Sequence, residues 1–540
     1  MRPSILPGHV ALVLLAASLL FGQGCCRPAW GSSREALEEA PQGSKEAYVT
    51  LLYGDDFVLG VRVLGQSIKE TETNRCQRLE AMRRPVGASN ANGDRVVLVT
   101  GDISQTSLKT LASDGWRVKK VETVSNPAKG PHPGGFPKRF WAVYTKLSIF
   151  NMVEYERVIY LDADTVVTKN SDVLFSCPGF CATMRHSERL NSGVMVVSPS
   201  ATMYSDMMSK IESYPSYTGG DQGFLNAYFP DYMNSRVFDP NDTSKDAAAQ
   251  MMRLPTAFNA DIGLYVMNSN RWMIPKENIY IIHFTLATFK PWNWWTPWII
   301  KETKVWQAFR ENLPKDSLGY SHGVTATQHF AQFWMVLIPI VMGALLVRRY
   351  LWRAGIGSAF HAHPMPGSPR SGGPLVLARS MAPRHFTGLS IVVGYLTILV
   401  PLAITFSFVP KHVYPMWGWI LAYEWTLFLH FCLFGLYLGW CYRWGKASSS
   451  PSSQVHKVSG LANRPWRATL KGAAAGTVAL VLCPWLADIL LVQSFVVKLM
   501  MTIFVGNVAT ILLTHVYASL PVRWLACGKC EGYTKSEQVI

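Results

Sequence analysis

The residues best suited to chemistry form an ordered series in the first three hundred positions. Asp162-Ala163-Asp164 sets two carboxylates one residue apart, directly after the apolar run Arg157-Val-Ile-Tyr-Leu161. At the carboxyl end of a parallel strand both can point at a ligand in the crevice that opens there. Hard divalent cations prefer oxygen ligands and bridge to substrate phosphates. The pair is therefore a natural seat for Mn²⁺ or Mg²⁺ carrying a nucleotide diphosphate. Taken alone, the same tripeptide suits a solvated turn after a strand equally well. It does not stand alone. Tyr144-Thr-Lys-Leu147 lies upstream, and Asn191-Ser-Gly-Val194, Gly219-Gly-Asp-Gln-Gly223, His283 and Lys290-Pro-Trp292 follow downstream.

These side chains need a scaffold. From about 46 to 300 the chain alternates short apolar runs with helix-like stretches, as an α/β domain does. The pattern predicts strands at 47–53, 95–100, 117–121 and 157–161, with a further apolar strand at Tyr280-Ile-Ile282 before His283. It predicts helices over 57–69, after Ser104 and over 144–152, while 75–94 and 125–137 read as loops. No internal repeat, P-loop or dinucleotide-binding glycine fingerprint occurs.

Composition sets the remainder of the chain apart. Of 540 residues only 16% are charged and 49% are hydrophobic, against roughly a quarter charged in average soluble chains. From His329 onward 17 Lys and Arg accompany 4 Asp and Glu, whereas the preceding 328 residues hold 34 and 31. That excludes a simple soluble enzyme and a disordered chain. No basic patch is interleaved with groove-reading motifs, so nucleic acid is not an expected partner. Five runs, about 329–347, 386–409, 417–441, 473–492 and 495–518, are long and apolar enough to cross a bilayer, with four or six spans as alternatives. The loop after the first run carries six arginines and the loop after the third carries six Lys and Arg, both without acid; the short alternate loops hold only Lys411. Under the positive-inside rule the basic loops and a tail at 521–540 are cytosolic, and the domain at 46–320 is lumenal. Residues 1–30 agree, reading as a signal peptide or signal anchor ahead of a membrane region at 329–520. Asn241-Asp-Thr243 is a glycosylation sequon within the lumenal part.

Several residues keep two readings. Cys177 and Cys181 can form a bridge in an oxidising compartment or remain thiols. Cys527-Gly-Lys-Cys530 is half of a zinc pattern without its second half, and reads equally as plain or palmitoylated cysteines. Glu424, His430 and Asp488 fall inside expected spans, as functional groups or as helix-to-helix hydrogen bonds. The aromatic tract Trp292 to Trp298 suits a core or interfacial belt, or contact with an acceptor.

In order and spacing the motif set resembles glycosyltransferase family 8, the glycogenin-like group, over about 47–300. It is most similar to the plant glycogenin-like branch that acts on inositol phosphorylceramide. That branch shares the form Thr218-Gly-Gly-Asp-Gln222, the tract Lys290-Pro-Trp-Asn-Trp-Trp295 and several C-terminal membrane helices. The resemblance implies an α/β domain of GT-A type, binding a nucleotide sugar, followed by a polytopic α-helical membrane domain. It implies Asp162, Asp164 and His283 as metal ligands, for Mn²⁺ or alternatively Mg²⁺. Asp221, Gln222 and Lys290 take catalytic roles by the same likeness. Lys290 and Lys146 would neutralise phosphate oxygens, while Leu51, Tyr53, Gly54 and Phe57 correspond to the uridine-binding segment. Ala163, Asn191, Ser192, Gly193, Asp221 and Gln222 fall in the donor-binding set. The implied reaction moves glucuronate from UDP-glucuronate to an inositol sphingolipid in the Golgi membrane, with retention at the anomeric carbon. Either a carboxylate such as Asp221 is the nucleophile, or the acceptor attacks from the leaving-group face.

There are departures from the family pattern. Thr218 stands where glycogenin has Asp, and Ala287 stands nearest to a family glycine, so the phosphate loop differs. No acceptor tyrosine for self-glucosylation can be identified. A glucuronate carboxylate calls for a cation, for which Arg139, Arg185 and Arg189 are candidates. Two other classes compete. One is a membrane-anchored glycosyltransferase using UDP-glucose or UDP-glucuronate on a wall polysaccharide or protein. The other is an inactive scaffold or transporter.

Overall fold

Apolar residues at successive rather than alternate positions make strands that must be covered on both faces, and β1 (Glu46–Leu52) is the clearest case. Ala47, Val49 and Leu51 enter one core, and Tyr48 and Leu52 enter the other. The computed structural model describes residues 46–80, 94–126, 142–185, 189–217, 219–239, 250–314, 333–343, 345, 382–448, 469, 472, 474 and 495–537. All belong to one compact unit, Ser44–Ile540.

Around β1 stand β2 (Asp94–Val99), β3 (Arg117–Lys120) and β4 (Arg157–Leu161), all parallel. The strand β5 (Thr165–Val167) follows β4 at once; then come β6 (Phe180–Met184), β7 (Leu190–Val197), β8 (Arg236–Val237), β9 (Met251–Leu254), β10 (Ala260–Asp261) and β11 (Ile281–His283). The main sheet runs β3-β2-β1-β4-β7-β6-β9-β8, with β7 antiparallel to both neighbours, and β10-β11-β5 form a small second sheet. The architecture is thus α/β around a mixed sheet, as the motifs imply.

Local chemistry accounts for the flanking helices. The helix α1 (Val58–Glu80) runs on past residue 69 into the stretch expected to be loop. The helix α2 (Gln105–Ser113) starts where the Ser104 hydroxyl accepts from the Ser107 N–H at 3.2 Å, an N-cap. Residues Val143–Asn151, expected as α-helix, wind instead as 3₁₀ turns. Val143, Thr145, Ile149, Tyr144 and Phe150 are poor helix formers. They are also buried almost all round, so packing sets the tighter geometry. A disulfide ties Cys177, just before β6, to Cys181 within that strand.

Among the described residues three helices are long and apolar enough to cross a membrane. They lie within α3 (Phe386–Phe408), α4 (Pro415–Ala447) and α5 (Phe495–Glu537). The expected span at 329–347 is represented by a shorter apolar helix, Phe333–Gly343, and that at 473–492 lies almost wholly outside the described residues. The last helix does not stop near 518 but continues through Pro521 to Glu537, so the segment expected as a tail prolongs it. Glycines bring α4 and α5 into backbone contact: a Cβ on Gly445 or Gly528 would collide with the carbonyl of Leu525 or Tyr442. Leu389, Leu396, Leu399, Leu436, Phe504 and Ile511 point outward, as segments solvated by lipid require. His430 meets the Thr397 hydroxyl at 3.1 Å, the helix-to-helix reading of that residue. Asp488 lies outside the described residues.

The α/β domain grips the loop Val409–Tyr414 that joins α3 to α4. The Trp294 backbone N–H donates to the Lys411 carbonyl at 3.1 Å, and the Arg310 guanidinium donates to the His412 carbonyl and lies 4.3 Å from the Tyr414 ring centre. Trp294 also packs on Gly418, Phe406 and Trp419. Both Trp294 and Arg310 are fully buried there. The aromatic tract is therefore core and membrane-side clamp at once.

Candidate active site

Two hydrogen-bond registers assemble the site. Antiparallel pairing of Leu161 with Val194 carries Asp162 to the Asn191-Ser-Gly193 end of β7, where its N–H donates to the Gly193 carbonyl at 2.8 Å. Antiparallel pairing of β5 with β11 sets His283 opposite Thr165, and the Phe284 N–H donates to the Asp164 carbonyl at 2.9 Å. One ligand atom from each of Asp162, Asp164 and His283 then lies within 4.8 Å of the others.

The imidazole is held from behind. Nδ1 of His283 is 3.0 Å from Asn259 Oδ1, which turns Nε2 toward the carboxylates, 3.3 Å from Asp164 and 3.8 Å from Asp162. Such support fixes the orientation of a metal-ligating histidine. Gly193 leaves the ring its room, since a Cβ there would sit 2.6 Å from Nδ1 and closer still to Cε1. Two hard oxygens and an oriented imidazole nitrogen suit a divalent cation. The residues fit the group.

Two lysines hold the carboxylates. Lys146 Nζ lies 3.0 Å from Asp162 and 2.9 Å from Asp221, and the Ser192 hydroxyl donates to Asp221 at 2.7 Å. Burial alone would lower the Lys146 pKa, but Asp162 and Asp221 outweigh it and hold the ammonium above the usual lysine value. Lys290 donates to Asp164 and, at 2.8 Å, to the Phe284 carbonyl. Burial would raise the Asp164 carboxyl; Lys290 and then His283 overcome it and hold it well below the usual carboxylate range.

Lys146, Asp162, Asp164, Asp221 and Lys290 line a cleft of about 670 Å³, with His283 just behind Asp162 and Asp164. Leu51, Tyr53 and Phe57 line it from the end of β1, where Gly54 adopts φ 72°, a region that favours glycine, to turn the chain. Burial pushes the Tyr53 hydroxyl up to about 12. Trp292, Trp295, Lys411 and His412 line the same cleft, with Trp292 packed against Phe57.

The profile of Glycosyl transferase family 8 matches residues 48–178. Over 526 residues the chain is 36% identical to inositol phosphorylceramide glucuronosyltransferase 1 of Arabidopsis thaliana, which covers 90% of this chain and 92% of that protein. UDP-glucuronate:xylan alpha-glucuronosyltransferase 2 of the same plant is 32% identical over 192 residues, 35% of this chain and 28% of that protein. The chain belongs to glycosyltransferase family 8.

As a family 8 glycosyltransferase, the chain is an enzyme, and its mixed-sheet domain is the GT-A type nucleotide-sugar fold. Most expected site residues meet at the cleft: Leu51, Tyr53, Phe57, Lys146, Asp162, Ala163, Asp164, Asp221 and Lys290 all line it. Gln222 is not brought there; its amide donates to the Tyr217 hydroxyl at 2.9 Å on the exposed side. Asn191 turns its oxygen to the Gly193 N–H at 2.8 Å and so shapes β7. Of the arginine candidates, Arg185 pairs with Asp261 at 3.3 Å and Arg189 lies over Tyr217, while Arg139, like Thr218 and Asn241, falls outside the described residues. The motifs did not reveal Asn259, Tyr160 (whose hydroxyl donates to Asp162 at 2.8 Å), Asp56, Lys411 or His412. Only Lys411 had left a trace, as the lone charge of the short loops.

Proposed function

We propose that this glycosyltransferase transfers glucuronate from UDP-glucuronate to inositol phosphorylceramide, in glycosyl inositol phosphorylceramide synthesis at the Golgi membrane. The observation that carries this reading is the cleft itself. It is lined both by the carboxylates and lysines of the site and by Lys411 and His412 from the loop between two apolar helices. A water-soluble acceptor gains nothing from that loop. A lipid head group is delivered to it, and positioning removes much of the entropic barrier to transfer. The likeness to a protein named for the lipid reaction runs through 90% of the chain, whereas that to the xylan enzyme covers 35%.

Asp162, Asp164 and His283 would hold Mn²⁺, with Mg²⁺ the alternative, since imidazole beside hard oxygens favours the softer ion. When bound, the ion supplies Lewis-acid neutralisation of the diphosphate. Lys290 adds a second positive charge where charge develops on the departing UDP. Lys146 fixes Asp162 and Asp221 relative to one another, and Leu51, Tyr53, Gly54 and Phe57 form the wall for the uridine. Ser192 presents Asp221 to the reacting sugar.

Purified full-length protein in liposomes with Mn²⁺ is expected to move labelled glucuronate into an inositol-sphingolipid fraction, with much lower yield from UDP-glucose. Chelation should stop the transfer and added Mn²⁺ restore it. Label found only in polysaccharide or on protein, with the lipid present, would sink the lipid reading and promote the wall-polymer alternative.

A lumenal catalytic domain follows from the acid-free basic loops, and the contact of the 409–414 loop with this domain supports the same side for both. Protease added to sealed microsomes should spare residues 46–320, with Asn241 carrying glycan, and remove a tag placed after Ile540. Digestion of the domain would overturn this topology.

A further inference from the structure

Lys411 has no part in the metal-diphosphate cluster, yet it lines the same cleft. It is exposed, and among the described residues it makes no ion pair. Its position is not left to a mobile loop. Its own carbonyl is tied to the Trp294 backbone N–H at 3.1 Å, the next carbonyl is tied to Arg310, and Val413 beyond is buried. The His412 ring lies edge-on to Trp292, which packs in turn against Phe57 on the donor side. The loop is thus a rigid part of the cleft wall.

Its depth is set as well. Six residues, Val409–Tyr414, join the apolar helices α3 and α4, so in a bilayer Lys411 sits at the polar boundary on the side of the catalytic domain. The phosphate of a membrane lipid lies at that same boundary, because it is bonded to the part that stays in the hydrocarbon. The acidic side chain among the cleft residues nearest in effect to this end is Asp56, whose charge acts on His412.

We propose that Lys411 forms an acceptor-phosphate subsite, which takes the phosphodiester of the lipid and holds its head-group hydroxyls toward the donor site. This deepens the lipid reading above and rests on it. The other anion that could use this cation is the carboxylate of the donor sugar, and the kinetics separate the two. A charge-assisted hydrogen bond to phosphate lost at the cleft should cost about tenfold or more in the KM for the lipid.

The test uses full-length protein in uncharged liposomes carrying inositol phosphorylceramide, with labelled UDP-glucuronate. Lys411→Ala is expected to raise the lipid KM by that factor and Lys411→Glu to raise it further, while Lys411→Arg restores it. The KM for UDP-glucuronate should stay within about twofold, since no charge-assisted bond to the donor is lost. Wild-type transfer with an unchanged lipid KM in Lys411→Ala would overturn the subsite and leave the lipid reading standing. A rise in the donor KM alone would overturn it in favour of the sugar carboxylate. Wild-type protein that makes no glycolipid at all would bring down the lipid reading and the subsite together.

Discussion

Exchanging both Asp162 and Asp164 for alanine is expected to lower transfer by about 1,000-fold or more, equivalent to about 4 kcal/mol of transition-state stabilisation. The two carboxylates are two of the three groups placed to hold a cation, and His283 alone cannot retain one. Loss of Asp164 also strips Lys290 of its carboxylate partner, although the Phe284 carbonyl still holds the ammonium. Lys146 keeps Asp221. The fold therefore has little reason to fail, and expression and membrane insertion should be those of the wild type. Two readings decide the matter: turnover in liposomes and the thermal shift produced by Mn²⁺, which should vanish in the double variant. Lys290→Ala should abolish transfer as well, yet retain the Mn²⁺ shift. Near-normal turnover in the purified double variant would remove the metal hypothesis.

Adding one methyl group at Gly193 should be nearly as damaging. The new Cβ would fall 2.6 Å from His283 Nδ1 and closer to Cε1, inside any distance a real Cβ tolerates. Either the ring swings away from Asn259 and the carboxylates, or β7 moves and takes the Asp162 N–H bond to the Gly193 carbonyl with it. Overpacking of this kind costs about 1–3 kcal/mol of stability. Disturbing the support of a ligating histidine costs about 10–100-fold in metal affinity or activity. Gly193→Ala should therefore weaken Mn²⁺ binding in a titration at a temperature where the variant is still folded by circular dichroism. Wild-type affinity in that titration would show that His283 is not a ligand.

The strands flanking the site could be read from the chain alone because buried parallel strands are continuous apolar runs. The expected 157–161 coincides with β4, and β1 and β2 differ from expectation by one residue at each end. The carboxylate pair and the apolar runs were visible for the same reason, since side-chain type and hydropathy are local properties, whereas the roles of Lys146 and Lys290 were implied by the family resemblance. Where local preference was weak, packing overruled it, as at Val143–Asn151.

What the chain could not specify by itself were distances between remote segments. His283 stands beside Asp164 only because Val166 pairs with Ile282 across the small sheet, and nothing in either tripeptide encodes that partner. Asn259 supports the imidazole because β10 pairs beside β11. Lys411 read as the sole charge of a short loop, with no chemistry attached. It becomes part of the cleft only through Arg310 and Trp294, whose buried contacts seat the 409–414 loop on the domain. Composition and pattern thus determined which chemistry the chain carries. Register and docking decided which residues share a site, because they depend on many small contacts formed together between distant segments, each too weak to leave a mark on the sequence beside it.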